Sequence, residues 1–139
     1  VKTSNPGSGE LQNMVAGDRL VYKVVGDMTA KLGKGTEGRY GFHLAGAVVG
    51  ATYPSDMREL RRRLEHTFFL VPGYGAQGGT AEDVQYAFNK YGHGAIVNAS
   101  RSIMCAWQKT GRDGTDYQEA ARAAAVAMRD DIRKYVTIV

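Results

Sequence analysis

Three short apolar runs constrain this chain more than anything else in it: residues 44–51 (LAGAVVGA), 67–71 (TFFLV) and 94–98 (GAIVN). None shows the apolar/polar alternation of a strand with one wet face. Such runs read as strands buried on both faces, the habit of a parallel sheet. Each run is followed by a turn and a helical pattern, and helices between parallel strands supply right-handed crossovers. The chain also opens at Val1-Lys2-Thr3 as though at the end of a strand.

The intervening segments carry specific helix signals. Residues 4–19 are polar and turn-rich. Leu20, Val21, Val24, Val25, Met28 and Leu32 then have helical spacing. Pro54 occupies a first-turn position, and Tyr53, Met57, Leu60 and Leu64 form one stripe of a helix ending near His66. Pro72 is expected to stop the second strand. Thr80 with Asp83 predicts a capping box. Val84, Ala87, Phe88 and Tyr91 form the next buried face, and Gly92 ends that helix. A short helix is expected within 101–107. Thr115 with Gln118 predicts a second capping box. Tyr117, Ala121, Ala124, Ala125, Met128, Ile132 and Tyr135 mark a long amphipathic helix, with Arg133 and Lys134 at its negative dipole end. About four βα units fit, whereas a closed barrel needs eight and typically ~250 residues. The chain is therefore a small open α/β sheet or half of a barrel.

Composition narrows the function. At 139 residues the chain is expected to be one domain. Its net charge of +4 includes Arg58, Arg61, Arg62 and Arg63, which read as a solvated helix face. No aromatic residues interleave with them in sequence, as a single-strand binder requires, so no nucleic-acid partner is expected. Cys105 is the single cysteine, which excludes an intrachain disulfide and fits a reducing, cytoplasmic setting. No apolar run approaches the ~18 residues of a membrane span. His43, His66 and His93 are too widely spaced for a metal set.

Chemistry concentrates in two turns. Residues 71–80 read VPGYGAQGGT and residues 98–101 read NASR, each directly after a buried run. A glycine-rich turn lets backbone approach an anion, and consecutive strand-to-helix turns of a (β/α) barrel hold phosphate in this way. Gln77 can donate its amide N–H; equally, it is an ordinary solvated loop residue. Arg101 can grip phosphate with two donors, or it caps strand-end carbonyls. Ser4 and Thr3 offer hydroxyls at a strand end, or they serve as loop caps beside Pro6. The loop is not a Walker A sequence, since no Lys-Ser or Lys-Thr closes it.

Taken together, TSNPGS at 3–8, GAVVGAT at 46–52, VPGYGAQGG at 71–79 and NASR at 98–101 resemble orotidine 5′-phosphate decarboxylase, in its longer bacterial subgroup. The resemblance runs from Val1 to about Lys134. It implies a TIM barrel that converts orotidine 5′-monophosphate to UMP and CO₂ without cofactor or metal, as a homodimer in the full-length enzyme. By the same resemblance, Ser4 meets the pyrimidine, Pro72 packs near the base, and Gln77 and Arg101 contact the phosphate. The loop with Gly73, Tyr74, Gly75, Gly78 and Gly79 closes over that phosphate.

One departure is large. The family's Asp-x-Lys-x-x-Asp motif, which supplies the proton-donating lysine, is absent, and neither Lys2 nor Lys109 is supported as a substitute. Residues 1–139 are thus expected to be the C-terminal half of a single barrel domain, strands five to eight, inactive in isolation. Two other readings stay open. One is another phosphate-binding barrel enzyme, such as a sugar-phosphate decarboxylase or epimerase. The other is an inactive half-barrel that binds phosphate or self-associates.

Overall fold

A computed structural model describes residues 1–139. A short helix α1 (Gly9–Gln12) and a two-residue hairpin, β1 (Val15–Ala16) and β2 (Arg19–Leu20), precede helix α2 (Val21–Gly33). Strand β3 (Gly46–Val48) leads to α3 (Pro54–Arg63), and β4 (Phe68–Pro72) to α4 (Ala81–Val84) with a 3₁₀ turn at Gln85–Ala87. Strand β5 (Ala95–Asn98) is followed by α5 (Ser100–Met104), a 3₁₀ turn at Ala106–Lys109, and α6 (Tyr117–Ile132). No helix is long and apolar enough to cross a membrane.

Strands β3, β4 and β5 form a parallel sheet in that order. Lys2 adds a fourth parallel position, bridged to Val49 beside β3. The ladder sets Val48 opposite Leu70 and Leu70 opposite Ile96. Ala47, Phe69 and Ala95 form the next row, pointing to the other face. That second face is the core. Ala47, Val49, Phe69 and Val71 pack with Tyr22, Met57, Leu60, Leu64, Val84 and Ala87, all buried.

The expectation of strands buried on both faces is corrected here. Val48, Leu70 and Ile96 are 40%, 42% and 57% exposed. Helices cover only one face of the sheet; the opposite face is half-exposed, with Phe42 packed edge-on against Phe68 at its start. The runs are apolar throughout because both faces are apolar, which is the pattern of strands lining a barrel interior.

Helix α3 forms as its stripe predicts, with Met57 and Leu60 fully buried and Leu64 nearly so. Its last turn holds Arg61, Arg62 and Arg63, cations suited to the negative dipole end. Arg61 is not solvated, however. It is 7% exposed, stacks on Phe69 at 4.0 Å, and donates to the carbonyls of Ala87, Gly94, Leu64 and Thr67. Burial pushes its guanidinium down to about 10, a fall that the Glu65 charge only partly offsets.

Other expectations need adjustment. In α2 the buried residues are Tyr22, Gly26 and Gly33, while Val25, Met28 and Leu32 face solvent. Gly26 wins the packing because its bare Cα lets α2 approach Leu60 and Leu64. Strand β4 does end at Pro72 as expected, with Pro72 itself still paired with Asn98. The helix after Thr80 is shorter than predicted: Phe88 is already extended and Tyr91 is exposed. The second capping box does not form. Thr115 donates to Asp113 instead, and Asp116 takes the N-cap position of α6.

Candidate functional site

All four parallel positions run the same way, so their C-terminal ends share one edge of the sheet. Ser4 lies just beyond the Lys2 bridge, Pro72 ends β4, and Arg101 lies in the first turn after β5. Sequence separation of nearly one hundred residues thus collapses to one mouth. This is where open and closed β/α folds place their ligands.

The 73–79 loop is closed on itself. Tyr74 bridges Gly79, and Gly75 N–H donates to Gly79 O, Gly78 N–H to Gly75 O and Gly79 N–H to Gly73 O. Two glycines are required by geometry. Gly73 has φ +101°, and a Cβ there would sit 3.0 Å from Gln77 Oε1 and 3.3 Å from Ser4 Oγ. A Cβ on Gly79 would lie 2.6 Å from Ala51 Cβ and 2.8 Å from Gly73 O. The following helix starts on the predicted capping box: Asp83 N–H donates to Thr80 Oγ1 at 3.2 Å and Thr80 N–H to Asp83 Oδ2 at 2.9 Å.

Beneath this loop lies a cavity of about 120 Å³, lined by Pro72, Gly73, Gln77, Asn98, Ser100 and Arg101, among others. That is well below the ~300–1,000 Å³ of a pocket that holds a drug-sized ligand, so it suits a small group such as an anion and not a whole nucleoside. Gln77 and Arg101 therefore meet across one cavity. Ser4 Oγ donates to Gln77 Oε1 at 2.6 Å, so Ser4 joins the group from the side of the first strand. That bond occupies the amide oxygen of Gln77 and leaves its NH₂ group as a donor. The Arg101 side chain is exposed and makes no hydrogen bond or ion pair within the chain. It does not cap strand-end carbonyls.

Tyr74 takes a different path. Its hydroxyl leaves the loop and donates to Asp131 Oδ2 near the end of α6 at 2.8 Å. Burial, then the bond to Asp131, raises the phenol to about 12. Asp131 is held below the usual carboxylate range by its bonds from Lys134 and Tyr74. Sequence reading placed Tyr74 only within the glycine loop; α6 offered no signal that Asp131 would anchor it.

Lys2 is on the sheet's helix-covered side, 1% exposed and ion-paired to Asp56 at 3.0 Å, so it does not face the mouth. Lys109 is exposed, on the 3₁₀ turn beyond α5. The histidines stay apart from the site: His43 and His66 stack loosely at 6.0 Å. No three His, Cys, Asp or Glu side chains are grouped to hold a metal. A larger opening of about 870 Å³, lined by Arg58, Arg62, Tyr86 and Lys90, lies against α3 and the chain end, away from the strand termini.

Parallel β/α units with a polar mouth at the strand C-termini define this as a parallel α/β chain of the kind found in TIM barrels and in open doubly wound sheets. No family model matches the chain. Among curated proteins, it is 42% identical over 137 residues to an orotidine 5′-phosphate decarboxylase of Rhodopirellula baltica, covering 96% of this chain and 45% of that protein. It is 44% identical to one of Clostridium perfringens, covering 98% of this chain and 47% of that protein. Among solved structures, it superposes on Leishmania donovani OMP decarboxylase with TM-score 0.64 and 30% identity, covering 94% of this chain and 46% of the other. Leishmania donovani UMP synthase gives TM-score 0.65 and 34% identity, with 95% and 26% covered. The chain is a homologue of the orotidine 5′-phosphate decarboxylases and spans about half the length of the curated relatives it matches.

Proposed function

We propose that this chain is the substrate-holding half of an orotidine 5′-phosphate decarboxylase, gripping the phosphate of orotidine 5′-monophosphate and of UMP. One observation carries the reading: Gln77 and Arg101, from consecutive β/α turns, line one anion-sized cavity under a glycine loop. Arg101 brings a free guanidinium and Gln77 a free amide NH₂. Ser4, bonded to Gln77, lies toward the first strand, where the nucleoside would extend.

The division of labour follows from the chemistry. Loss of CO₂ from the pyrimidine leaves a carbanion that must be stabilised and protonated. No side chain at this mouth offers an acid for that step, since Lys2 is turned to the helices. What these residues contribute is binding and orientation. Energy gained at a remote phosphate can lower the barrier when it closes the loop and fixes the ring. The decarboxylation then needs the Asp/Lys network that these 139 residues lack.

Calorimetric titration of the chain with inorganic phosphate, uridine and UMP tests the reading. UMP is expected to bind more tightly than either part. UMP binding no tighter than uridine would end the phosphate assignment. A homodimer in a cytoplasmic setting is the assembly we infer for the whole enzyme.

A further inference from the structure

Lys2 is a buried lysine with no role in the chemistry above, yet its surroundings are fully built. Its ammonium meets Asp56 Oδ2 at 3.0 Å, donates to Asn13 Oδ1 at 2.8 Å, and lies 4.5 Å from the ring centroids of both Tyr22 and Tyr53. Asn13 follows α1, Tyr22 opens α2, and Tyr53 and Asp56 open α3. One cation therefore ties three helix ends to the first strand position. A charge this deeply buried is tolerated only while its partners stay in place, so each partner fixes the others.

The clamp sits directly below the site. Lys2 N–H donates to Val48 O at 3.1 Å and Gly50 N–H to Lys2 O at 2.6 Å. Thr3 N–H donates to Gln12 Oε1 at 2.5 Å, and Gln12 is itself buried. The Ser4 backbone then rests against Gly50, where a Cβ would come within 2.8 Å of the Ser4 nitrogen. By that point the path of the chain is determined, and Ser4 Oγ is delivered to Gln77.

We propose that Lys2 is a positioning residue for Ser4, setting from behind the sheet the hydroxyl that meets the base side of the nucleotide. The proposal rests on the functional reading above for its ligand, though not for its geometry. It separates Lys2 from Arg101. Arg101 acts on phosphate alone, whereas a displaced Ser4 weakens the nucleoside as well as the nucleotide.

The test uses Lys2→Met, which keeps the apolar stem and removes the charge, and Asp56→Asn, a milder change should Lys2→Met fold poorly. Both are expected to raise the dissociation constant of uridine as well as that of UMP, roughly fivefold or more, the scale of one hydrogen bond. In a Ser4→Ala background either change should add nothing further. Full additivity with Ser4→Ala, or a loss confined to UMP, overturns the proposal. Amide hydrogen exchange decides the case even if the chain binds neither ligand, an outcome that would sink the functional reading alone. Thr3 and Gly50, whose N–H groups are bonded to Gln12 and to Lys2 O, should exchange at least roughly tenfold faster in the variants, while Phe69 and Val71 in β4 keep their protection. Unchanged exchange at Thr3 and Gly50, or equal acceleration everywhere, refutes the positioning role.

Discussion

Replacing Tyr74 by Phe removes one hydroxyl and leaves the ring. The lost contact is the 2.8 Å bond to Asp131 that fastens the 73–79 loop to α6. A hydrogen bond to a charged partner contributes about 1.5–3 kcal/mol. Here the Asp131 side chain is 39% exposed and shared with Lys134, so screening lowers the figure to about 1 kcal/mol. For a domain of this size that is a fall in Tm of about 3–5 °C. The pH dependence is more diagnostic. Tyr74 has a folded pKa raised to about 12 from 10, so its contribution is complete below pH 10 and is lost as pH rises through the folded value. Asp131 has a lowered folded pKa, so its contribution is present above the ordinary carboxylate value and is lost as pH falls through the folded one. Urea unfolding of the parent and Tyr74→Phe proteins should differ by a constant amount between about pH 5 and 9 and converge above 10. An undiminished gap at pH 11, or no gap at pH 7, would show that the bond does not hold the loop. Asp131→Asn, which keeps an acceptor, should fall between the two proteins.

Three further outcomes follow from the same geometry. The pure 139-residue chain should show no turnover of orotidine 5′-monophosphate above a host-enzyme control, because it lacks the Asp/Lys network; measured turnover would contradict the division of labour. Leu70→Gln with Ile96→Gln should reduce self-association in sedimentation, since both side chains are exposed on the uncovered face; a monomeric parent protein would refute that face as an association surface. Gly79→Ala should disorder the loop and cost about 1–3 kcal/mol, because its Cβ would press on Ala51 and on the Gly73 carbonyl; an unchanged midpoint in urea would count against the tight approach.

The sheet was legible in the sequence because its strands are short apolar runs set off by punctuation such as Pro54, Pro72 and Gly92. Which face they bury was not, since apolar side chains on both faces look the same whether or not a second layer covers them. Helix α3 was read correctly because one stripe faces one core. Helix α2 was misread because Tyr22 and Gly26, not Val25, Met28 or Leu32, make its contact. Arg61 sits in a run of arginines that looks solvated, and only tertiary structure turns it inward to four carbonyls. At the site, the glycine loop, Gln77 and Arg101 announced themselves by following strand ends. Their shared cavity, the bond from Ser4 and the anchor on Asp131 are contacts between distant segments, which no local pattern encodes.

The central claim is that Arg101 and Gln77 hold a phosphate, and Arg101→Ala tests it most directly. Calorimetry would compare UMP and uridine binding to the parent and variant proteins. Loss of a charge-assisted bond to phosphate should weaken UMP by about 1.5–3 kcal/mol, roughly ten- to a hundredfold, while uridine binds as before. Gln77→Ala should cost less, and the two losses should not add, because both side chains line one cavity. Equal losses for UMP and uridine in Arg101→Ala would make Arg101 a structural residue and contradict the account.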